Sequence, residues 1–376
     1  MFLSSIFSHR RIWSKTSLQH AKDIVVGMTA GFTGGATEDV HENSLGARMA
    51  ISEFNALGGL RGRRLRMVTL DDHASPTQAA VNAATLVTQR HAVALLLSRG
   101  TACTQAMVPV LEQHNVALVG PCSGAMVFHS PVNAQVFNVR ISHQQEAANA
   151  VRYLHRRGMT RIALVHVDSL FGDESIAGAQ KALLSLGIKP VLLAKFDQVR
   201  PDHRMLIKLI LLSKPQALLF VGSAATLSGG IVALRAASLL LEVVTLSNNA
   251  SATFAKLLRG HDDAVLVAQP FPSERALVLP VTHDARKSAR AVRLNELTHS
   301  RLEGYIAAKV LTLALRRLGP HVTSETVMTA LNALDDFTVA GYAMRYSAAN
   351  HSGFCGPELG SVEPRAAAAP VLNQRH

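Results

Sequence analysis

Two short loops in the first third of the chain combine glycine with hydroxyl or thiol side chains, where an anion could bind. The residues are Gly100 and Thr101 in the first loop, and Cys122, Ser123 and Gly124 in the second. Free backbone N–H groups at the start of a helix attract a carboxylate. Ser and Thr are also common helix caps, so capping is the favoured interpretation of either loop alone. The matching positions of the two loops strengthen the binding interpretation.

Two further loops, in the middle of the chain, offer side chains to the same kind of ligand. Phe171 follows the apolar run that ends at Val167, and it either covers an apolar ligand or belongs to the core. Asn248 lies in the polar stretch 247–251, directly after Leu246. In open α/β sheets, ligands bind beyond the carboxyl ends of the strands, which is where all four loops are predicted to lie.

Catalytic and cofactor motifs are not evident. The glycines between residues 27 and 35 lack the Gly-x-Gly-x-x-Gly spacing of a dinucleotide site, and a flexible loop is favoured. Asp71-Asp72-His73 sets carboxylates beside an imidazole, but neighbouring strand residues point to opposite faces, so a turn role is favoured. Metalloprotease, paired-cysteine and hydrolase-elbow motifs are absent. We predict no catalytic residue, no metal and no cofactor.

The composition indicates a folded protein of two lobes. Hydrophobic residues make up 48% of the chain and charged residues 17%, which excludes a disordered chain. The length of 376 residues is too great for a single small core. The 38 Lys and Arg residues outnumber the 26 Asp and Glu residues. They are spread along the chain, which predicts a solvated basic surface and no nucleic-acid binding. No apolar run is long enough to span a membrane. Whether Cys103 and Cys122, on the two facing loops, form a disulfide is left open.

The elements that must position these loops alternate as in an α/β protein. Strand-like apolar runs and amphipathic helical segments alternate from residue 24 to about residue 119, and again from about residue 143 to residue 268. Such repetition gives parallel sheets with helices on both faces, and two series predict two lobes. The helices expected at the beginning and end of this pattern cover residues 43–57, 284–299, 304–318 and 323–334. Asp173 is expected to cap the helix after Val167.

A series of short motifs runs along the chain in a characteristic order. The motifs are Gly27…Gly31, Gly46-Ala47, Gly58-Gly59, Asp71-Asp72…Pro76, Gly100-Thr101…Thr104-Gln105, Gly120-Pro121, Phe137-Asn138-Val139-Arg140, Phe171-Gly172 and Leu302-Glu303-Gly304-Tyr305. In this order and spacing they resemble the branched-chain amino-acid-binding (Leu/Ile/Val-binding) family over residues 23–353. These are the type I periplasmic substrate-binding proteins of ABC importers.

The resemblance implies two Rossmann-like lobes with parallel sheets, joined by a three-strand hinge, that close on a ligand between them. It places Thr101 at the hydroxyl position of the first ligand loop and Cys122, Ser123 and Gly124 at the second. Phe171 falls where an aromatic ring often covers the ligand. The partner implied is the membrane permease of an ABC importer, which recognises the closed form. The resemblance also implies a periplasmic location.

The chain departs from amino-acid-binding members on the second lobe. Ser247, Asn248 and Asn249 stand where a carboxylate would pair with the ligand's ammonium, and Ala224 and Ala225 stand where another aromatic is often found. Because a buried ammonium without a charge partner is costly, aliphatic or aromatic carboxylates and amides become candidates beside an amino acid. We predict a non-enzymatic solute-binding protein for a small carboxylate. The alternatives are a cytoplasmic ligand-sensing regulator of the same fold and a nucleotide-cofactor enzyme.

Four regions are expected along the chain. Residues 1–22 are interpreted as a leader or irregular tail, since their short apolar stretch precedes its basic residues instead of following them. Lobe 1 is expected to comprise residues 23–141 and 272–334, and lobe 2 residues 142–271 and 335–353. Residues 354–376 are expected to be an irregular tail without the family's last strand, which would leave an exposed edge on the second sheet.

Overall fold

The computed structural model contains two α/β lobes, each built on its own mainly parallel sheet. The structure describes residues 23–34, 37–271, 280–291, 293–294, 297–339, 341–354 and 362–364. The predicted leader, residues 1–22, lies outside these ranges, as does most of the predicted tail. Along the described residues, consecutive elements lie in different lobes at three places: between β5 and α4, between β10 and α9, and between β13 and β14, whose bounds follow.

The first sheet has five parallel strands in the order β2-β1-β3-β4-β5. Its strands are β1 (Ile24–Ala30), β2 (Leu65–Asp71), β3 (Ala94–Leu96), β4 (Ala117–Val119) and β5 (Val136–Phe137). The helices between them are α1 (Thr37–Ala56), α2 (Pro76–Thr88) and α3 (Thr101–His114). Because helices cover both faces, β3 and β4 are buried along their whole length and their sequences are continuously apolar.

The second sheet has the strand order β14-β10-β9-β8-β6-β7. Its strands are β6 (Ile162–Val167), β7 (Leu192–Phe196), β8 (Ala217–Val221), β9 (Glu242–Thr245), β10 (Val265–Ala268) and β14 (Val362–Pro364). Its helices are α4 (His143–Arg156), α5 (Leu170–Ser185), α6 (His203–Ser213), α7 (Ala224–Ala236) and α8 (Ala252–Leu257). Strand β14 pairs antiparallel with β10, so the expectation of a missing last strand was wrong. Three residues are too few to show strand alternation in the sequence.

The C-terminal part of the chain returns to the first lobe. It contains helices α9 (Pro280–Ala291), α10 (His299–Arg316) and α11 (Ser324–Asn332) and a three-stranded antiparallel sheet of β11 (Phe337–Val339), β12 (Tyr342–Ser347) and β13 (Asn350–Phe354). The assignment of residues 335–353 to lobe 2 was wrong. Phe337, Met344 and Tyr346 pack in the same core as β1 and α10, and Tyr346 lies edge-on to Phe137 at 5.2 Å.

Helices α1 and α10 cross closely in the first lobe because each has a glycine at the contact. A Cβ atom on Gly46 would lie 1.9 Å from the carbonyl oxygen of Arg301, and one on Gly304 would lie 1.9 Å from that of Asn43. Neither glycine has a positive φ, so it is the close approach of the backbones that requires glycine at these positions. The crossing fixes the start of α10 beside the loops that end β1 and β3.

Three helical segments differ from the sequence-based expectation. Helix α1 begins at Thr37 rather than near Asn43. The N-cap of α5 is Ser169, whose hydroxyl accepts the N–H of Gly172, so Asp173 lies inside the first turn and does not cap it. The segment 284–299, expected to be one helix, ends at Ala291, and α10 begins after the N-cap Thr298. None of the described helices is long and apolar enough to cross a membrane.

Candidate functional site

A cleft of about 470 Å³ lies between the two lobes, at the carboxyl ends of the strands. Lobe 1 contributes the loops after β1, β2, β3 and β4, the first turns of α1 and α3, and the start of α10. Lobe 2 contributes the first turns of α4 and α5 and the loop after β9. The lining residues used below are Asp39, Arg99, Gly100, Thr101, Cys122, Ser123, Arg140, His143, Phe171, Ser247, Asn248, His299, Ser300 and Glu303.

The two glycine and hydroxyl loops meet at the floor of the cleft. The Thr101 and Ser123 hydroxyl oxygens lie 2.9 Å apart. Helix α3 has Gly100 as its N-cap, with a φ of 87°, and no side chain caps this end. Thr101 is therefore not used as a cap, and a hydroxyl pair sits beside the positive end of a helix dipole. This is the geometry that the sequence predicted for the two loops.

The other predicted residues lie at different depths. The Cys122 thiol lines the cleft, and burial, with the nearby Glu303 carboxylate, holds the pKa of that thiol well above its ordinary value. Gly124 is not a lining residue, and its N–H donates to His143 Nε2 at 3.3 Å. Cys103 and Cys122 are both buried free thiols, without a disulfide between them.

The second lobe brings an aromatic ring and an amide to the cleft. The Phe171 ring lines it and lies edge-on to the His143 ring, with centroids 4.8 Å apart. Phe171 also packs against the core of the second lobe, so it is at once a lining and a core residue. Asn248 is exposed, and its amide donates to the carbonyl of Gly222 at 3.0 Å. Among the described lining residues of this lobe none is acidic.

A buried charge network joins the lobes beneath the cleft. Arg140, on the first connection between the lobes, donates to Glu146 at 2.7 Å and to Ser247 at 2.6 Å in lobe 2. It also donates to Glu303 in lobe 1 at 3.2 Å. The Ser247 N–H donates to the second oxygen of Glu146 at 3.0 Å. Burial opposes the charge of Arg140, but the Glu303 and Glu146 carboxylates outweigh it and raise the arginine's pKa.

A second ion pair lies on the lobe 1 wall. Arg99 donates to one oxygen of Asp39 at 2.7 Å, and the Ser300 hydroxyl donates to the other at 3.1 Å. Asn43 donates to the Glu303 oxygen that Arg140 does not contact, at 3.3 Å. Both carboxylates that line the cleft among the described residues therefore have both oxygens engaged.

These charged residues were not predicted from the sequence to be part of the site. Arg140 and Glu303 stood inside recognised motifs, and Arg99 directly precedes the first predicted ligand loop. Those positions in the sequence could have indicated that the three residues belong to the site. No sequence motif indicates Asp39 or His299, because they reach the cleft only through the packing of α1 against α10.

Asp71, Asp72 and His73 form a turn rather than a catalytic group. One oxygen of Asp71 accepts the N–H groups of Phe32 and His73, each at 2.9 Å, and Asp72 accepts that of Ala74 at 2.9 Å. These contacts hold the loop between β2 and α2 against the loop after β1, as the turn interpretation predicted. Within the described residues no cluster of His, Cys, Asp or Glu is arranged to hold a metal.

The sequence matches the family model described as periplasmic binding protein over residues 23–355. The chain belongs to this periplasmic binding protein family. The resemblance to branched-chain amino-acid-binding proteins and the predicted two-lobe α/β fold are thereby confirmed. Since the relatives and structural neighbours of this periplasmic binding protein are binding proteins, the prediction of a non-enzymatic protein is confirmed as well.

Relatives with stated ligands match this periplasmic binding protein over part of its length. An amino acid binding protein of Pseudomonas aeruginosa is 25% identical over 205 residues, which are 53% of this chain and 54% of that protein. The Leu/Ile/Val-binding protein of Escherichia coli K12 is 24% identical over 166 residues, 43% of this chain and 44% of the relative. The matches thus span about half the length of these curated relatives or less.

Solved structures match nearly the whole periplasmic binding protein. An extracellular ligand-binding receptor from Verminephrobacter eiseniae superposes with a TM-score of 0.79 at 24% identity, covering 90% of this chain and 97% of that one. A substrate-binding periplasmic protein from Ralstonia solanacearum gives a TM-score of 0.76 at 26% identity, covering 91% and 100%. These likenesses establish the fold over both lobes.

Proposed function

We propose that this protein captures an amino acid or a related small carboxylate between its two lobes. It then delivers the ligand, outside the cytoplasm, to the membrane permease of an ABC importer. The support is the family, relatives named for amino acids, and neighbours titled as ABC transporter proteins, one of them a putative branched-chain amino acid transporter from Rhodospirillum rubrum. The proposed ligand contacts are Gly100, Thr101, Cys122, Ser123, Phe171 and Asn248; Gly124, which was predicted with them, does not line the cleft.

The observation that carries the proposal is the hydroxyl pair at the uncapped end of α3. Thr101 and Ser123 lie 2.9 Å apart, next to a helix N-terminus with no side-chain cap. A carboxylate placed there accepts hydrogen bonds from the hydroxyls and backbone N–H groups and lies at the positive end of the helix dipole. The Phe171 ring supplies an apolar wall for the rest of the ligand.

Isothermal titration calorimetry with a fixed panel tests the proposal. The panel comprises leucine, valine, 4-methylpentanoate and phenylacetate, each also offered as its carboxamide. We expect at least one carboxylate to bind more tightly than its amide. The Thr101→Val variant, which keeps the side-chain shape, is expected to weaken that binding about 10-fold through loss of one charge-assisted hydrogen bond.

The matched control is Thr88→Val, the same change on an exposed turn of α2 outside the residues that line the cleft. It is expected to leave affinity unchanged. A wild-type protein that binds none of the carboxylates, or a Thr101→Val variant that binds as tightly as wild type, would refute the proposed function.

A further inference from the structure

His299 is the first residue of α10, and its ring lies in the wall of the cleft. The residue is only 7% exposed, and neither ring nitrogen has a hydrogen-bond partner among the described residues. The ring packs near that of Phe271, with centroids 5.7 Å apart, which supplies an apolar contact but no hydrogen bond. The imidazole therefore has two buried polar atoms without a described protein partner in the wall of the proposed binding site.

The other buried histidines of the described chain differ from His299. His129 bonds the Ser352 hydroxyl, His143 accepts the Gly124 N–H, His166 contacts the carbonyl of Val167, and His351 contacts the Asn133 carbonyl and the Asn332 amide oxygen. Buried polar groups are almost always satisfied, so one without any partner needs an explanation. Because the His299 ring lines a cleft, the simplest explanation is that a bound ligand supplies its hydrogen-bond partner.

The surroundings of His299 define what kind of group it can meet. Burial, and then the charges of Arg140 and Arg99, lower its pKa to about 3, so the ring is neutral at pH 7. A neutral imidazole has one N–H donor and one nitrogen acceptor. A hydroxyl group can bond either nitrogen, since it can accept from the N–H or donate to the other nitrogen, and one hydroxyl satisfies one of the two.

An ammonium group is a poor match for the same place. The lining carboxylates Asp39 and Glu303 already have both oxygens engaged, by Arg99 and Ser300 and by Arg140 and Asn43. No described acidic side chain of lobe 2 lines the cleft. A ligand ammonium would therefore be desolvated beside two guanidinium groups, with no lining carboxylate oxygen among the described residues left without a hydrogen bond to receive it.

We propose that His299 is the specificity-determining residue of the cleft and that it recognises a hydroxyl group on the ligand. The inference rests on the proposed function, since the ligand's carboxylate is taken to lie at Thr101 and Ser123. It narrows the ligand class to small hydroxy acids, in preference to the corresponding amino acids or deoxy acids.

Two matched pairs of probes test this by calorimetry. 2-Hydroxy-4-methylpentanoate is compared with 4-methylpentanoate, and 4-hydroxyphenylacetate with phenylacetate, with leucine as the amino-acid counterpart of the first pair. The wild type is expected to favour the hydroxy acid about 10-fold in at least one pair, the effect of one satisfied buried hydrogen bond. Leucine is expected to bind more weakly than its hydroxy analogue.

Two variants connect the preference to the ring. His299→Phe keeps a ring of similar size without nitrogen and is expected to abolish the preference while still binding the deoxy acid. His299→Asn keeps a donor and an acceptor and is expected to retain most of the preference. Thr101→Val is expected to weaken both members of a pair equally, because it acts on the carboxylate. Circular dichroism and thermal unfolding verify that each variant is folded.

The outcomes separate the two proposals. If carboxylates bind but neither pair shows a preference, or the preference survives in a folded His299→Phe variant, the role of His299 is refuted and the proposed function stands. If His299→Phe does not fold, loss of the preference in His299→Asn, which keeps both hydrogen-bonding groups, overturns the inference. If no carboxylate binds to the wild type, the proposed function fails and the inference fails with it.

Discussion

Mild acid is expected to destabilise this protein through histidines that are buried in their neutral form. Burial, reinforced by the charge of Arg140, lowers the pKa of His299 to about 3 and that of His129 to about 4. The same two causes hold the pKa of His143 well below its ordinary value. In the unfolded chain these rings return to a pKa of 6.5. Protonation therefore favours the unfolded state.

The sign and size of the effect follow from these values. Between pH 6.5 and about 4 the unfolded chain binds protons that the folded chain does not, so stability falls as the pH falls through this window. Each pH unit costs about 1.4 kcal/mol per histidine. At pH 5, His299 and His129 together lower the free energy of unfolding by about 4 kcal/mol relative to pH 7, and His143 adds to the loss. That is a large share of the 5–15 kcal/mol typical of a folded domain.

Urea unfolding, followed by circular dichroism at pH 7, 6 and 5, measures the fall in the free energy of unfolding. Wild type is compared with His299→Phe, which removes one titrating ring, and with His321→Phe, the same change at an exposed position. Between pH 7 and pH 5 the His299→Phe variant is expected to lose about 2 kcal/mol less stability than the other two proteins. If all three lose the same amount, the assignment of the acid sensitivity to His299 is wrong.

Two further predictions concern stability, both measured by urea and thermal unfolding. Arg140→Met leaves Glu146 and Glu303 buried without their cation and is expected to lower the free energy of unfolding by about 4 kcal/mol; an unchanged urea midpoint would contradict this. Gly46→Ala places a methyl group 1.9 Å from a carbonyl oxygen of α10 and is expected to cost about 3 kcal/mol. Gly319→Ala, with no atom within 4 Å of the new methyl, is the control, and equal losses for the two would show that the helix crossing tolerates a side chain.

The floor of the cleft could be predicted from the sequence because its geometry is set locally. The apolar runs that became β3 and β4 are continuous, and parallel strands that are neighbours end at one edge of the sheet. A small polar loop after each must then lie beside the other, which is where Thr101 and Ser123 are found. Helix starts are harder to predict from the sequence, as at Ser169, because more than one polar residue near the start can serve as the cap.

The walls of the cleft could not be predicted in this way, since they depend on contacts between distant parts of the chain. His299 and Glu303 face the loops of lobe 1 only because Gly46 and Gly304 let α1 and α10 approach closely. The segment 335–353 was assigned to the wrong lobe for the same reason. Its strands are short, and the packing of Tyr346 against Phe137, which decides their place, joins residues far apart in the sequence.

The charged groups of the cleft are already engaged with one another, and this bears on how a ligand could be selected. Arg140 contacts carboxylates from both lobes, so the connection between the lobes and the cleft floor share one buried cation. The second cation, Arg99, is matched by Asp39. Every lining carboxylate and guanidinium among the described residues therefore already has a hydrogen-bond partner, and the charge of a ligand carboxylate must be stabilised by dipoles. The uncapped end of α3 can do this for a carboxylate, whereas the described lining residues offer an ammonium no carboxylate oxygen without a hydrogen bond. Discrimination among carboxylates then depends on hydrogen bonds of neutral groups, which is the role proposed for His299.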